Sequence, residues 1–323
     1  MSRYRLALLP LACVALIALI GMPAPDARAQ VPARAPDFTG IAHWINSPPL
    51  SMKSLRGKVV LIDFWTYSCI NCLRTLPHLK AWWARYKDKG LVIVGVHSPE
   101  FDFEKKTANV EAAVRRFGIG WPVAQDNDMD TWNAWNNRYW PAEYLVNRQG
   151  EVVMHHYGEG HYLETENAIR RLLGLVPLSR DTVTEANLTR IGSPEMYLGS
   201  NRVHNMANPI PPLFISHDYK APARLDLNRF ALEGRWRLHG EYAQLTGGHG
   251  AIRLHFYSGK LFMVASSREP VTLSITVDGK KQPDVTVHGS RLYTLFDSDD
   301  YRDHVVTISI PKSGFKAFTF TFG

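Results

Sequence analysis

The sequence predicts an α/β domain with a parallel-stranded sheet, followed by an all-β sandwich or jelly-roll domain. Three observations carry this. Short apolar, β-rich runs alternate with amphipathic helical segments between residues 58 and 173. Six prolines and no sustained period then mark residues 175 to 222. From about Arg224 onward every run reads as strand, with no helical segment between. A chain of 323 residues is long enough for two ordinary cores. With 45% apolar and 21% charged residues it is neither extended disorder nor a polytopic membrane protein.

Residues 1–29 have the three parts of a secretory signal: Arg3 and Arg5, an apolar run from Leu6 to Ile20, and Ala27-Arg28-Ala29 as a small-x-small cleavage site. Fifteen apolar residues fall short of the about 20 a spanning helix needs. The first domain is expected over 38–175. Its strands are KVVLIDFW (58–65), LVIVGVHS (91–98), a short run near 121–124, and the antiparallel pair within AEYLVNRQGEVVMHHY. Its helices run from the Cys69 region to Gly90, over 104–117 up to Gly118, near 128–137, and over about 163–173. Strand, helix, strand in that order implies parallel pairing, because a crossover helix is how parallel strands are joined. Residues 176–222 are expected as a linker or wrapping segment. Residues 223–323 supply nine strands, from LDLNRFAL to KAFTFTF, each half able to form its own core.

The formal net charge of +7 falls to +5 once the leader takes away Arg3, Arg5, Arg28 and Asp26, and no run of five or more basic residues occurs. That pattern speaks for solubility and not for a nucleic-acid partner. Cysteine usage is more informative. Of three cysteines only Cys69 and Cys72 lie outside the leader. A bridge across two intervening residues removes little unfolded-chain entropy, so the pair is not a staple. It supplies two zinc ligands where four are needed, and Leu73 stands where haem attachment requires His. Redox chemistry remains, with the pair itself as the redox group and no other cofactor or metal. Cys69, at the junction of strand and helix, faces unsatisfied N–H groups and the positive end of the helix, which favours thiolate; it is the attacking residue, and Cys72 one turn on resolves the mixed disulfide.

Asp63 is an acid in the middle of an apolar strand. Burial would raise its pKa and suit it to take the proton from the resolving thiol. Pro77 is expected to bend its helix without ending it, since apolar periodicity continues through Leu79, Trp82 and Trp83. Pro141 follows Trp140 just before AEYLV. A cis bond there would leave the preceding backbone free to pair with an extended substrate segment.

With DFWTYSCINC, Pro77 and Pro141 in place, the first half resembles the thioredoxin fold. APDFTG…SLRGKVVLIDFW is similar to its exported TlpA-like and redoxin branch. VGVHSPEF, NRYWPAEYLVNRQG, HHYGEGHYLETENAIRRLL and SPEMYLG, followed by a β domain, resemble the exported C-terminal half of the DipZ cytochrome c biogenesis-type proteins. The resemblance puts Pro141 at the cis-proline position and implies a β domain similar to carbohydrate-binding modules. The membrane-embedded electron-transfer part of full-length DipZ has no counterpart here.

The reading that follows is an exported, envelope thiol-disulfide oxidoreductase acting as a reductase. Its partners are client protein disulfides and a membrane electron donor. Trp65, Trp140, His97 and Glu100 are candidates for the substrate groove, the last two because parallel neighbouring strands end on the same sheet edge. Trp236, Tyr242, Tyr257 and Tyr293 are candidates for stacking on glycan. Two alternatives are a glycan-binding or scaffold module with a secondary redox domain, and a thiol peroxidase. The peroxidase is weakened because Ile62 stands where its motif wants Pro.

Overall fold

The computed structural model describes residues 33–181, 183, 190–210 and 215–323. The leader expected over 1–29 lies outside them. Ten elements make up the first part: β1 (His43–Ile45), β2 (Val59–Trp65), α1 (Ile70–Tyr86), β3 (Leu91–His97), α2 (Thr107–Arg116), β4 (Val123–Gln125), α3 (Asp130–Ala134), β5 (Ala142–Val146), β6 (Val152–Tyr157) and α4 (Tyr162–Leu172). The sheet order is β1-β4-β3-β2-β5-β6. β2, β3 and β4 run parallel, as the strand-helix alternation requires, while β1, β5 and β6 pair antiparallel. β1 was not expected; three residues are too few to carry a period.

All seven residues of β2 are buried, because the strand is central and covered on both faces. Its odd positions Val59, Leu61 and Trp65 pack with α1, α2 and α4, and its even positions Val60, Ile62 and Phe64 pack with Trp132 and Trp135 on the other face. Asp63, at an odd position, therefore points to the α1 side. Pro77 sits inside an unbroken α1. The helix expected over 104–117 is split into a single 3₁₀ turn, Asp102–Lys105, and α2, which ends before Gly118 at φ +59.

The second part holds β7 (Met196–Tyr197), β8 (Ser216–Tyr219), β9 (Arg229–Leu238), β10 (Ala243–Val277), β11 (Lys280–Lys281), β12 (Val285–Ile310) and β13 (Lys316–Phe322). They form a large antiparallel sheet in the order β7-β13-β10-β9-β8, with β11 and β12 paired to β10. The expected runs AIRLHFY, KLFMVASS and VTLSITV lie in one continuous β10. DVTVHG, RLYTLFD and HVVTISI lie in β12, because register shifts near Gly259 and between Ser267 and Val271 bend the ribbon without breaking it. Two short strands from the stretch expected to wrap, β7 and β8, pair with β13 and β9.

Trp236 and Tyr293 are buried at inward positions, and Trp236 Nε1 donates to the Glu233 carbonyl at 2.9 Å. Tyr242 packs on Phe318 at 5.1 Å. His239 and Lys316 also lie against the ring of the partly buried Tyr242, and of the four stacking candidates Tyr257, 36% exposed, is the exposed one. The two parts share a core. Val264 and Phe318 belong to the apolar cluster under α1 and α2, with Phe318 5.2 Å from the Phe101 ring and 4.9 Å from that of Phe103. Among the described residues no helix is long and apolar enough to cross a membrane.

Candidate active site: a dithiol beside buried carboxyls

The strand β2 runs out at Trp65, and Thr66 to Ser68 turn the chain into α1. Cys69 is the N-cap. Its backbone is extended at φ −81, ψ 116, and its Sγ accepts from the Cys72 N–H at 3.4 Å, so the sulfur satisfies one of the helix's free donors. No acid sits in the first turn of α1 to oppose a negative sulfur. Both cysteines are free thiols. Cys69 is half-buried and lines a cleft, whereas Cys72 is 2% exposed. Burial pushes the Cys72 thiol well above its ordinary value, with the neighbouring Cys69 and Asp63 adding to the rise.

Asp63 is 2% exposed, its Oδ1 has no hydrogen-bond partner among the described residues, and desolvation raises its carboxyl to about 7. Directly across the β2–β5 pair stands Glu143, 3% exposed, with neither oxygen hydrogen-bonded among the described residues. Burial and then the charge of Asp63 raise it to about 8. Two carboxyls in register on the same sheet face resist ionising together, so they titrate as a pair. Glu143 was missed by sequence reasoning, although its signal, an acid inside an apolar strand, is the one that identified Asp63.

A third buried acid fixes the turn from outside. Glu104 Oε1 accepts from Ser68 Oγ at 2.6 Å and from the Ser68 N–H at 3.3 Å, while Oε2 accepts from the N–H groups of Glu100 and Phe101 at 2.7 and 3.1 Å. Burial raises it to about 7 despite these bonds. It ties the loop after β3 to the dithiol turn. It too was missed, having been read as the first residue of the amphipathic helix over 104–117.

The four groove candidates divide. Glu100 and Trp140 line the cleft with Cys69. Trp65 and His97 do not, being 1% and 0% exposed at the buried ends of central strands. The His97 ring lies 5.2 Å from Trp65 and stacks at 5.6 Å on Tyr67. Its Nε2 is 3.4 Å from Thr66 Oγ1, and burial lowers its pKa to about 3, which holds it neutral. The Trp140–Pro141 bond is cis, and Trp140 Nε1 donates to the Ser98 carbonyl at 3.1 Å, binding the loop before β5 to the loop after β3.

The AhpC/TSA family model matches residues 31–155, and the model described as a thioredoxin like C-terminal domain matches residues 193–323. DipZ of Mycobacterium bovis and DipZ of Mycobacterium tuberculosis are each 38% identical over 310 residues, covering 92% of this chain and 44% of theirs. The thiol-disulfide oxidoreductase ResA of Halalkalibacterium halodurans is 30% identical over 109 residues, 34% of this chain and 59% of that protein. The chain thus spans less than half the length of the DipZ proteins it matches. The first part has a thioredoxin-like fold, and along both of its parts the chain is similar to DipZ.

Proposed function

We propose that the protein is an envelope thiol-disulfide oxidoreductase that reduces client disulfides through Cys69 and Cys72, with that pair as its only redox group. The observation that carries this is the asymmetry of the dithiol: one sulfur caps a helix at the floor of a cleft, and the other is buried one turn behind it. The Cys69 thiolate attacks a client disulfide, forming a mixed disulfide and releasing one client thiolate. Asp63 then takes the proton of Cys72, and the Cys72 thiolate attacks Cys69 Sγ. The mixed disulfide breaks and the second client thiolate leaves. Two electrons have passed to the client, and the protein holds a Cys69–Cys72 disulfide that a membrane dithiol donor must reduce. Pro141, cis in the chain and preceded by the cleft residue Trp140, is the site beside which a client segment lies.

Reductase is the favoured direction because Ile70 and Asn71 place no charge between the cysteines to stabilise the reduced form as a strong oxidant requires. A leader over 1–29 and the likeness to DipZ support the envelope. A jelly-roll arrangement of the second part, similar to carbohydrate-binding modules, is the finer reading of its bent sheet, and glycan contact there would use the one exposed candidate ring, Tyr257. Mixing the pre-reduced chain with a linear disulfide peptide tests the main reading. The expected result is one peptide disulfide lost for each Cys69–Cys72 disulfide formed; a dithiol that stays titratable beside intact peptide contradicts it. The dithiol potential is expected near about −270 mV, and a value near about −120 mV reverses the direction.

A further inference from the structure

Both parts of the chain build the cleft above Cys69. Its lining takes Cys69, Ile70 and Asn71 from the start of α1, and Glu100 and Trp140 from the loops after β3 and before β5. Next to Glu100 the lining continues with residues from far along the sequence, Tyr197, Arg202 and Phe322. The cleft they enclose is about 380 Å³, toward the small end of the roughly 300–1,000 Å³ found for small-ligand pockets. It admits a few residues of extended chain but not a globular surface.

This wall is anchored. Arg202 Nη1 donates to Glu100 Oε1 at 2.8 Å, the Tyr197 hydroxyl sits between two carboxyls, 2.8 Å from Glu100 Oε1 and 2.7 Å from Glu195 Oε2, and the Arg202 guanidinium lies 3.6 Å from the Tyr197 ring centre. Arg74 Nη2, in the first turns of α1, donates to the Phe322 carbonyl at 2.8 Å, and its Nη1 donates to Glu159 at 3.0 Å. The carboxylates of these two ion pairs are only 10% and 8% exposed, so the pairs are poorly screened and resist separation. Phe318, packed on Phe101 and Phe103, holds the sheet behind the wall.

We infer that Tyr197, Arg202 and Phe322 are specificity-determining residues, which restrict Cys69 to disulfides carried on extended, unfolded polypeptide segments and turn away disulfides held inside folded domains. The guanidinium that lines the cleft, that of Arg202, is engaged by Glu100, which disfavours capture of a small anionic disulfide. Ile70, Ile191, Trp140 and Phe322 offer apolar contact to the residues flanking a client cysteine. The inference rests on the reductase reading for its substrate, but the shielding of Cys69 can be measured without it.

The test uses the full chain in two arms. In the first, the reduced protein is alkylated with iodoacetamide and with a polymer-bearing maleimide, each rate normalised to a free thiol. The bulky reagent is expected to lag by about tenfold, a lag that the pair Tyr197→Ala and Arg202→Ala narrows. Equal normalised rates for the two reagents overturn the inference, whatever the variants do. In the second, kcat/KM is compared for one disulfide in a linear peptide and for a disulfide in a folded protein. A preference for the peptide of about tenfold or more that shrinks in the double variant supports the inference; equal values contradict it. If labelling is size-selective yet neither disulfide is reduced, the wall stands and the reductase reading fails.

Discussion

At Asp63 the burial that raises the carboxyl to about 7 has consequences for both stability and rate. A carboxyl held above its unfolded value binds its proton more tightly in the folded chain. Its contribution favours folding at low pH and is lost as pH rises from near 4, the unfolded value, to about 7 for Asp63 and about 8 for Glu143. Asp63→Asn removes that loss. Its unfolding free energy is expected to match the parent near pH 4 and to exceed it by on the order of 3 kcal/mol near pH 8. Urea unfolding at the two pH values checks this, and a constant difference contradicts it. The same variant is expected to slow release of the second client thiol near neutral pH while sparing the first attack by Cys69; single-turnover rates that do not change with pH or substitution exclude proton transfer through Asp63. Asp63→Asn is also expected to lower the Glu143 carboxyl from about 8, because the Asp63 charge that adds to its rise is gone, which an NMR titration of Glu143 checks.

One element, the loop after β3, is tied to the dithiol turn through the carboxylate of Glu104. Removing Glu104 leaves two loop N–H groups and Ser68 without their acceptor in a buried place. Glu104→Ala is therefore expected to cost about 3 kcal/mol and to free the loop, read by denaturant unfolding and by amide exchange at Glu100 and Phe101. A loss below about 0.5 kcal/mol would show that water replaces the carboxylate. Legibility in the sequence divides at the same scale. β2, β3, α1 and the cysteine pair were readable because each is a periodic run bounded by its own punctuation. Asp63 stood out as the acid that broke one such run. Glu143 broke another in the same way, but its meaning depends on the register between β2 and β5, which no local pattern contains. Glu104 was hidden in the opposite sense: an acid at the head of an amphipathic run looks solvated until the loop folds over it.

Across the whole molecule, the sheet of residues 216–322 forms part of the redox site. Strand periodicity distinguishes the two parts in the sequence, yet Phe318 and Tyr197 read as an ordinary strand position and a linker residue. Their contacts with the first part lie more than 90 residues away in sequence, beyond any periodicity. Because Phe318 and Val264 sit in the first part's core, heat or denaturant is expected to unfold both parts in one transition. Phe318→Ala is expected to lower stability by about 3 kcal/mol and to accelerate bulky-reagent access to Cys69; two separate transitions in the parent chain would contradict a shared core. The most direct measurement on the chemistry compares Cys69→Ser and Cys72→Ser, each pre-reduced and mixed with a disulfide peptide, acid-quenched and weighed by intact mass spectrometry. The result expected is a one-to-one mixed disulfide that accumulates on Cys72→Ser, where Cys69 attacks and nothing resolves the adduct, and no adduct on Cys69→Ser. An adduct that forms on Cys69→Ser and not on Cys72→Ser would contradict the assignment of the helix-capping sulfur as the nucleophile.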